Sequence, residues 1–147
     1  MGVLVRDEIS RVVNASPEVC YQLLTQSNDV NQWWRGVQSR IEGPASWAVG
    51  TRLFFRSSLG ALRWVSEIKE AIPNRLIEAY YIDGDFRGAE SWEFEPVGEG
   101  ARLMHRWRGI EAATHTGRAL RFAFGAKLHS YLFSSALAGL DKLSSQK

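Results

Sequence analysis

Residues 119–143 read ALRFAFGAKLHSYLFSSALAGLDKL. Within them Leu120, Phe124, Leu128, Leu132, Ala136 and Leu140 recur at intervals of four, and Leu143 extends the series. That interval lines up side chains on one side of an α-helix. The spacing predicts one long helix that starts between Ala112 and Arg118 and ends near Ser144. Gly117, Gly125 and Gly139 each weaken it by about 1 kcal/mol relative to alanine. An apolar stripe of this length must be covered, and the only large partner that the rest of the chain offers is a sheet.

The preceding residues supply that sheet. Residues 3–13, VLVRDEISRVV, are β-branched and partly alternating, so they read as a strand. Ser16-Pro17 is an N-cap followed by the residue best suited to a first helical position. Val19, Cys20, Leu23 and Leu24 then give a short helix to about Thr25. A second short helix is expected from Ser27-Asn28-Asp29 to Trp33-Trp34, ended by Gly36. From there the punctuation is that of strands: 37–42, closed by Gly43-Pro44; 51–57, with a turn at Gly60; 62–71, stopped by Pro73-Asn74; 76–82, stopped by Asp83-Gly84-Asp85; 86–95, stopped by Pro96 and Gly98-Glu99-Gly100; and 102–108. Short strands joined by tight turns form an antiparallel meander. The expected class is α+β. A curved antiparallel sheet of about seven strands wraps one long C-terminal helix, and two short helices follow the first strand. The chain forms a single domain, 1–147.

Composition narrows the function. Hydrophobic residues are 45% and charged residues 23%, an ordinary globular balance. A net charge of +2 is far below the basic excess of a nucleic-acid binder. Arg6, Asp7 and Glu8 interrupt the N-terminal apolar run, and no stretch reaches the roughly 18 uncharged apolar residues of a spanning helix. A cytoplasmic protein with no stable membrane insertion is expected. The one cysteine, Cys20, has apolar helix neighbours and reads as buried and inert. His105, His115 and His129 lack metal-ligand spacing, and no phosphate loop, nucleophile elbow or dinucleotide fingerprint occurs. Neither a metal nor another cofactor is expected.

The order and spacing of several short motifs then carry a family resemblance. They are Ala15-Ser16-Pro17-Glu18 before Leu23-Leu24, Trp33-Trp34-Arg35-Gly36-Val37, Val49-Gly50-Thr51-Arg52, Pro73-Asn74-Arg75-Leu76, Trp92-Glu93-Phe94-Glu95-Pro96-Val97 and Gly100-Ala101-Arg102-Leu103. From about residue 5 to 144 the chain resembles the SRPBCC, or START-like, superfamily, and within it the polyketide cyclase/dehydrase type. The resemblance implies a helix-grip fold with a deep cavity. Members bind lipids, hormones, polyketides or aromatic alkaloids, and some catalyse cyclisation or dehydration.

Strand alternation assigns the faces. Leu103, His105 and Trp107 are expected inside, with Arg102, Met104, Arg106 and Arg108 outside. Glu90, Trp92 and Phe94 point inward, with Glu90 nearer the rim because it lies near the end of its strand; Ser91, Glu93 and Glu95 lie outside, where the glutamates pair with the arginines. Leu62, Trp64, Ser66 and Ile68 are inside, as are Leu53 and Phe55. On 76–82 two phases are open: Leu76, Glu78, Tyr80 and Ile82, favoured for their place in the Pro-x-x-Leu pattern, or Ile77, Ala79 and Tyr81.

His105 and Glu78 are the candidate proton-transfer groups. A core histidine bonded to a neighbour and a surface glutamate are the structural alternatives. Trp64, Ser66, Tyr80, Trp92, Phe94, Trp107 and Phe55 are the candidate ligand contacts on the sheet. Leu120, Phe124 and Leu128, with Tyr131 beside them, are those on the helix; ordinary core packing is the alternative for all of them. Trp33 and Trp34 are expected to divide, one packed and one at a cavity mouth. Phe122 and Phe133 lie off the stripe, where exposure would suit a lid or a homodimer contact. The expected partner is a small hydrophobic ligand. Three functions compete: a carrier of such a molecule, a cyclase/dehydrase-type enzyme, and a protein-interaction module.

Overall fold

The computed structural model describes residues 5–26, 29–43, 47–57, 62–124 and 127–146, with side chains at all of these except 5, 6 and 121–124. The turn at Gly60, the Ser27-Asn28 helix start and the side chains of Phe122 and Phe124 therefore lie outside the described residues.

Nine strand residues, Val5–Val13 (β1), lead into helix α1, Pro17–Thr25. Ser16 caps α1: its Oγ accepts from the Val19 amide at 3.2 Å, and Pro17 fills the first position. The second short helix contracts to a 3₁₀ turn, Val30–Gln32, capped by the Asp29 carboxylate. Six strands follow: β2 Val37–Glu42, β3 Arg52–Ser57, β4 Arg63–Ile72, β5 Leu76–Gly84, β6 Phe86–Val97 and β7 Gly100–Ala112. The seven form one antiparallel sheet in the order β1-β7-β6-β5-β4-β3-β2. The sheet curls, and the C-terminal helix lies on its inner face.

The expected single helix is two, α2 His115–Phe124 and α3 Leu128–Ser144. Gly125 of the sequence lies outside the described residues. The buried side of α3 is also wider than the four-residue stripe. Leu128, Leu132, Ala136 and Leu140 are buried as expected, and a second column of His129, Phe133 and Leu137 is buried beside them. Phe133 is thus core at 1% exposure, and Tyr131 is on the solvent side. Trp33 and Trp34 do not divide. Both are buried with rings nearly parallel at 5.9 Å, because the 3₁₀ turn ends at Gln32 and the chain there is no longer helical. The Trp34 indole N–H donates to the Leu132 carbonyl of α3 at 2.9 Å.

The inner face carries Leu53, Phe55, Trp64, Ser66, Ile68, Trp92, Phe94, Leu103, His105 and Trp107, all buried as alternation predicts. Outside, Arg102 pairs with Glu95 at 3.3 Å and Arg106 with Glu93 at 3.4 Å. Strand β5 has the opposite phase to the favoured one: Ile77, Ala79 and Tyr81 are inside. Residues directly opposite in an antiparallel pair share a face, and β5 pairs Ile77 with Trp92 and Ala79 with Glu90. The neighbouring strand fixes the phase, and the turn motif before β5 does not. Glu78 accordingly faces outward and bonds Arg108 at 2.8 Å, and Tyr80 is 46% exposed.

Candidate functional site

A row of polar groups crosses the inner face among the aromatic rings. Strand β4 contributes Ser66, β6 Glu90, β7 His105, α3 His129 and β1 Asp7. Ser66 Oγ donates to Glu90 Oε2 at 2.7 Å. Glu90 Oε1 lies 2.8 Å from His105 Nε2, and His105 Nδ1 lies 2.7 Å from His129 Nε2. His129 Nδ1 lies 2.9 Å from Asp7 Oδ2. Beside the row, Trp107 Nε1 donates to the Tyr81 hydroxyl at 2.8 Å, and Tyr81 and Trp92 hydrogen-bond to Glu90.

Register brings these residues together. Trp107 of β7 stands opposite Glu90 on one side and Asp7 on the other, and His105 stands opposite Trp92 and Ile9. Glu90 faces inward as alternation predicts, and it is buried instead of lying at the rim. The strand runs from Phe86 with a register shift between Arg87 and Ala89, and its partner β7 extends to Ala112, so Glu90 lies well inside the ladder. Rings enclose the row: Phe133 stacks on His105 at 3.7 Å and 9°, Trp92 meets His105 edge-on at 4.5 Å, and Trp107 lies 4.7 Å from His129.

Burial sets the electrostatics, since a low-dielectric site disfavours every charged form. It pushes the Glu90 carboxyl up to about 7, against the opposing hydrogen bonds of Ser66 and Tyr81. It holds His105 well below the usual imidazole range. It lowers His129 to about 4, with His105 adding to the effect and Asp7 opposing it. Tyr81 is pushed well above 10 by burial and by Glu90. On α1, burial raises the Cys20 thiol to about 11, consistent with an inert side chain.

Of the candidate contacts, Phe55, Trp64, Ser66, Trp92, Phe94, Trp107, His105 and Leu128 are brought to the inner side. Leu120 is half-buried against the core, Phe124 lies outside the described side chains, and Glu78 and Tyr80 are on the other face. The inner rings pack on one another. Phe55 stacks on Trp64 at 5.3 Å, and Trp34 fills the space between them and Phe133, 4.8 Å from the latter. Three hollows of the described surface, of about 670, 650 and 460 Å³, take in none of Glu90, His105 or His129. Sequence reasoning missed Asp7, His129 and Phe133 as members of the site, placed Glu90 inward but at the rim, and had Tyr81 only in the less favoured phase of its strand. A signal for two of them was present: His129, Phe133 and Leu137 repeat at intervals of four beside the main stripe.

The model of the family described as polyketide cyclase / dehydrase and lipid transport matches residues 5–145. The chain belongs to that family. Its description frames two activities, hydrophobic ligand binding and polyketide cyclase-like chemistry. No curated protein matches the sequence. A solved structure from Thermus thermophilus is 25% identical, covers 97% of this chain and 100% of its own, and superposes with a TM-score of 0.78. A START superfamily protein from Mycobacterium smegmatis, 15% identical, covers 96% and 97% at 0.76. Norcoclaurine synthase from Thalictrum flavum, solved with dopamine and hydroxybenzaldehyde, is 12% identical and covers 99% and 88% at 0.72. The last two likenesses establish the helix-grip fold. Among the described residues no helix is long and apolar enough to cross a membrane.

Proposed function

We propose that this family member binds a small hydrophobic or aromatic molecule between the inner face of the sheet and α3. The supporting observation is the composition of that face: Phe55, Trp64, Trp92, Phe94 and Trp107 on four of the seven strands, with the hydroxyls of Ser66 and Tyr81 among them. Aromatic walls with a few polar tips suit a flat apolar ligand carrying one or two oxygens. The ligand would take the place now filled by Trp34 and Phe133. Native mass spectrometry of the protein from its own host, followed by denaturing extraction, tests the reading. A co-purifying apolar molecule supports it. An empty protein that also fails to quench tryptophan fluorescence with a panel of flat aromatic probes rejects it.

A second reading, an enzyme of the cyclase/dehydrase kind, is favoured by one specific contact, the Glu90–His105 bond. A buried carboxyl and an imidazole within 2.8 Å can pass a proton to or from a bound molecule. His105→Ala would then abolish turnover of a substrate once one is found, and wild-type turnover by that variant rejects His105 as a participant.

A further inference from the structure

The row from Asp7 to Glu90 has a fixed proton inventory. Its three gaps, Asp7–His129, His129–His105 and His105–Glu90, are 2.9, 2.7 and 2.8 Å long. Each is a hydrogen bond and needs one proton. Two neutral imidazoles supply two. The third sits on a carboxyl group or turns one imidazole into a cation. A cation is the costly choice, because both imidazole rings are wholly buried, at 0% side-chain exposure. Of the two carboxyls, Asp7 reaches solvent at 32% exposure and Glu90 does not at 5%.

We propose that Asp7, His129, His105 and Glu90 form a relay holding one exchangeable proton, with a neutral Glu90 at its inner end and the Asp7 carboxylate at its solvent end. At rest Glu90 Oε1–H donates to His105 Nε2, His105 Nδ1–H to His129 Nε2, and His129 Nδ1–H to Asp7 Oδ2. The elevated pKa of Glu90 and the depressed values of both histidines agree with this placement. Discharge moves each proton one step across its own gap. The Glu90 O–H bond breaks as Nε2–H forms on His105. The His105 Nδ1 proton passes to His129 Nε2, and the His129 Nδ1 proton passes to Asp7. Glu90 ends as a carboxylate, both imidazoles end neutral with the proton on Nε2, and Asp7 ends as an acid that loses its proton to water. Neither end state leaves a charged imidazole in the core.

The relay uses Oε1 of Glu90, and Oε2 accepts from the Ser66 hydroxyl. A ligand with an enolisable ketone or a phenolic oxygen, seated in place of that hydroxyl, would yield a proton to Oε2 as the Oε1 proton passes to His105 Nε2, and the reverse movement would return it. This use deepens the enzymatic reading and rests on it; the relay itself does not.

Nitrogen NMR on the full chain labelled at histidine, with exposed His115 as internal reference, tests the relay without any ligand. At a pH between about 4 and about 7, where Glu90 holds its proton and His129 is neutral, the expected result is a protonated Nδ1 and a bare Nε2 on both His105 and His129. Infrared spectra should also contain a protonated-carboxyl stretch that is lost in Glu90→Gln. An imidazolium at either position, or the Nε2–H tautomer on both, overturns the proposal. Asp7→Asn keeps an acceptor for His129 but cannot take its proton. It should leave both tautomers as they are and slow solvent exchange of the imidazole protons by about tenfold. Unchanged exchange would mean that the proton leaves by another route and would overturn the relay. Failure to find a ligand leaves these readouts intact, so the two ideas can fail separately.

Discussion

His105 was legible because one short argument fixes its direction: Arg102, Arg106 and Arg108 cannot all be buried, so the residues alternating with them face inward. Its partners were not, since a strand pattern carries no information about which side chain of another strand or helix ends opposite. The pairing has a consequence for stability against pH. The reference values are 6.5 for each histidine and 4.5 for Glu90, against about 4 for folded His129, well below 6.5 for folded His105, and about 7 for folded Glu90. Between about pH 4.5 and 6.5 the unfolded chain binds two histidine protons that the folded chain refuses, and the folded chain binds one at Glu90 that the unfolded chain releases. The unfolded state then holds one proton more, so stability rises with pH. Near pH 7 the remaining histidine protons of the unfolded chain and the Glu90 proton of the folded chain cancel, and the rise levels off. Urea unfolding should therefore give a stability that climbs between about pH 5 and 6 and flattens near 7. Glu90→Gln keeps a donor for His105 Nε2 and cannot ionise, so the opposing proton is gone and the climb should be about twice as steep. An unchanged slope in that variant would place the effect elsewhere. A second prediction separates the faces. Trp92→Ala should cost about 3–5 kcal/mol as a buried ring is lost, and substitutions of Glu93 or Arg106 about 1 kcal/mol or less, as exposed pairs do. The same Trp92 change should weaken ligand binding more than either outer one.

At the scale of elements, the strands were readable to about two residues at their ends because glycine and proline mark them, except that β7 runs on to Ala112 past the expected Arg108, and the phase of β5 was not readable. Alternation gives two equivalent phases, and only pairing with Trp92 and Glu90 selects one. The C-terminal helix was readable as an apolar stripe, but its width and the break were not. Its seat also hides in the sequence behind a plain glycine. A Cβ added at Gly139 would stand 1.5 Å from the Trp33 carbonyl oxygen, far inside any contact distance. The absent side chain lets α3 lie directly on the backbone of the 3₁₀ turn, which in turn sets the Trp34 indole against Leu132. A helix propensity scale would score Gly139→Ala as stabilising by about 1 kcal/mol. The contact predicts the opposite sign, a loss of about 3 kcal/mol from overpacking, with a shift in tryptophan emission as Trp34 leaves its partner. Chemical denaturation of the pair of proteins decides between the two signs.

For the molecule as a whole, a curled sheet and a helix enclose a space, and the sequence pattern could not say whether that space is open or filled. Among the described residues aromatic side chains occupy the part of it around His105, and Phe133 is the piece that links them. It stacks on His105 of β7 and contacts Trp34, Trp92 and Trp107 at ring distances of 4.8 to 5.8 Å. If the interior is a ligand site whose own side chains occupy it when no ligand is bound, removing this ring should create a usable site. Phe133→Ala should lose about 3–5 kcal/mol of stability. Its cavity, walled by three tryptophans, should take up benzene or indole and recover part of that loss by mass action, so its melting temperature rises with probe concentration. Leu24→Ala, a truncation of a residue equally buried on α1, is the control for cavities in general. Stabilisation of the Phe133 variant alone would mark the seam between α3 and the sheet as the binding region. Equal responses in both variants, or none in either, would make that seam ordinary core, and the first alternative to test among the described residues would be the surface hollow of about 670 Å³ beside Leu76, Phe94 and Met104.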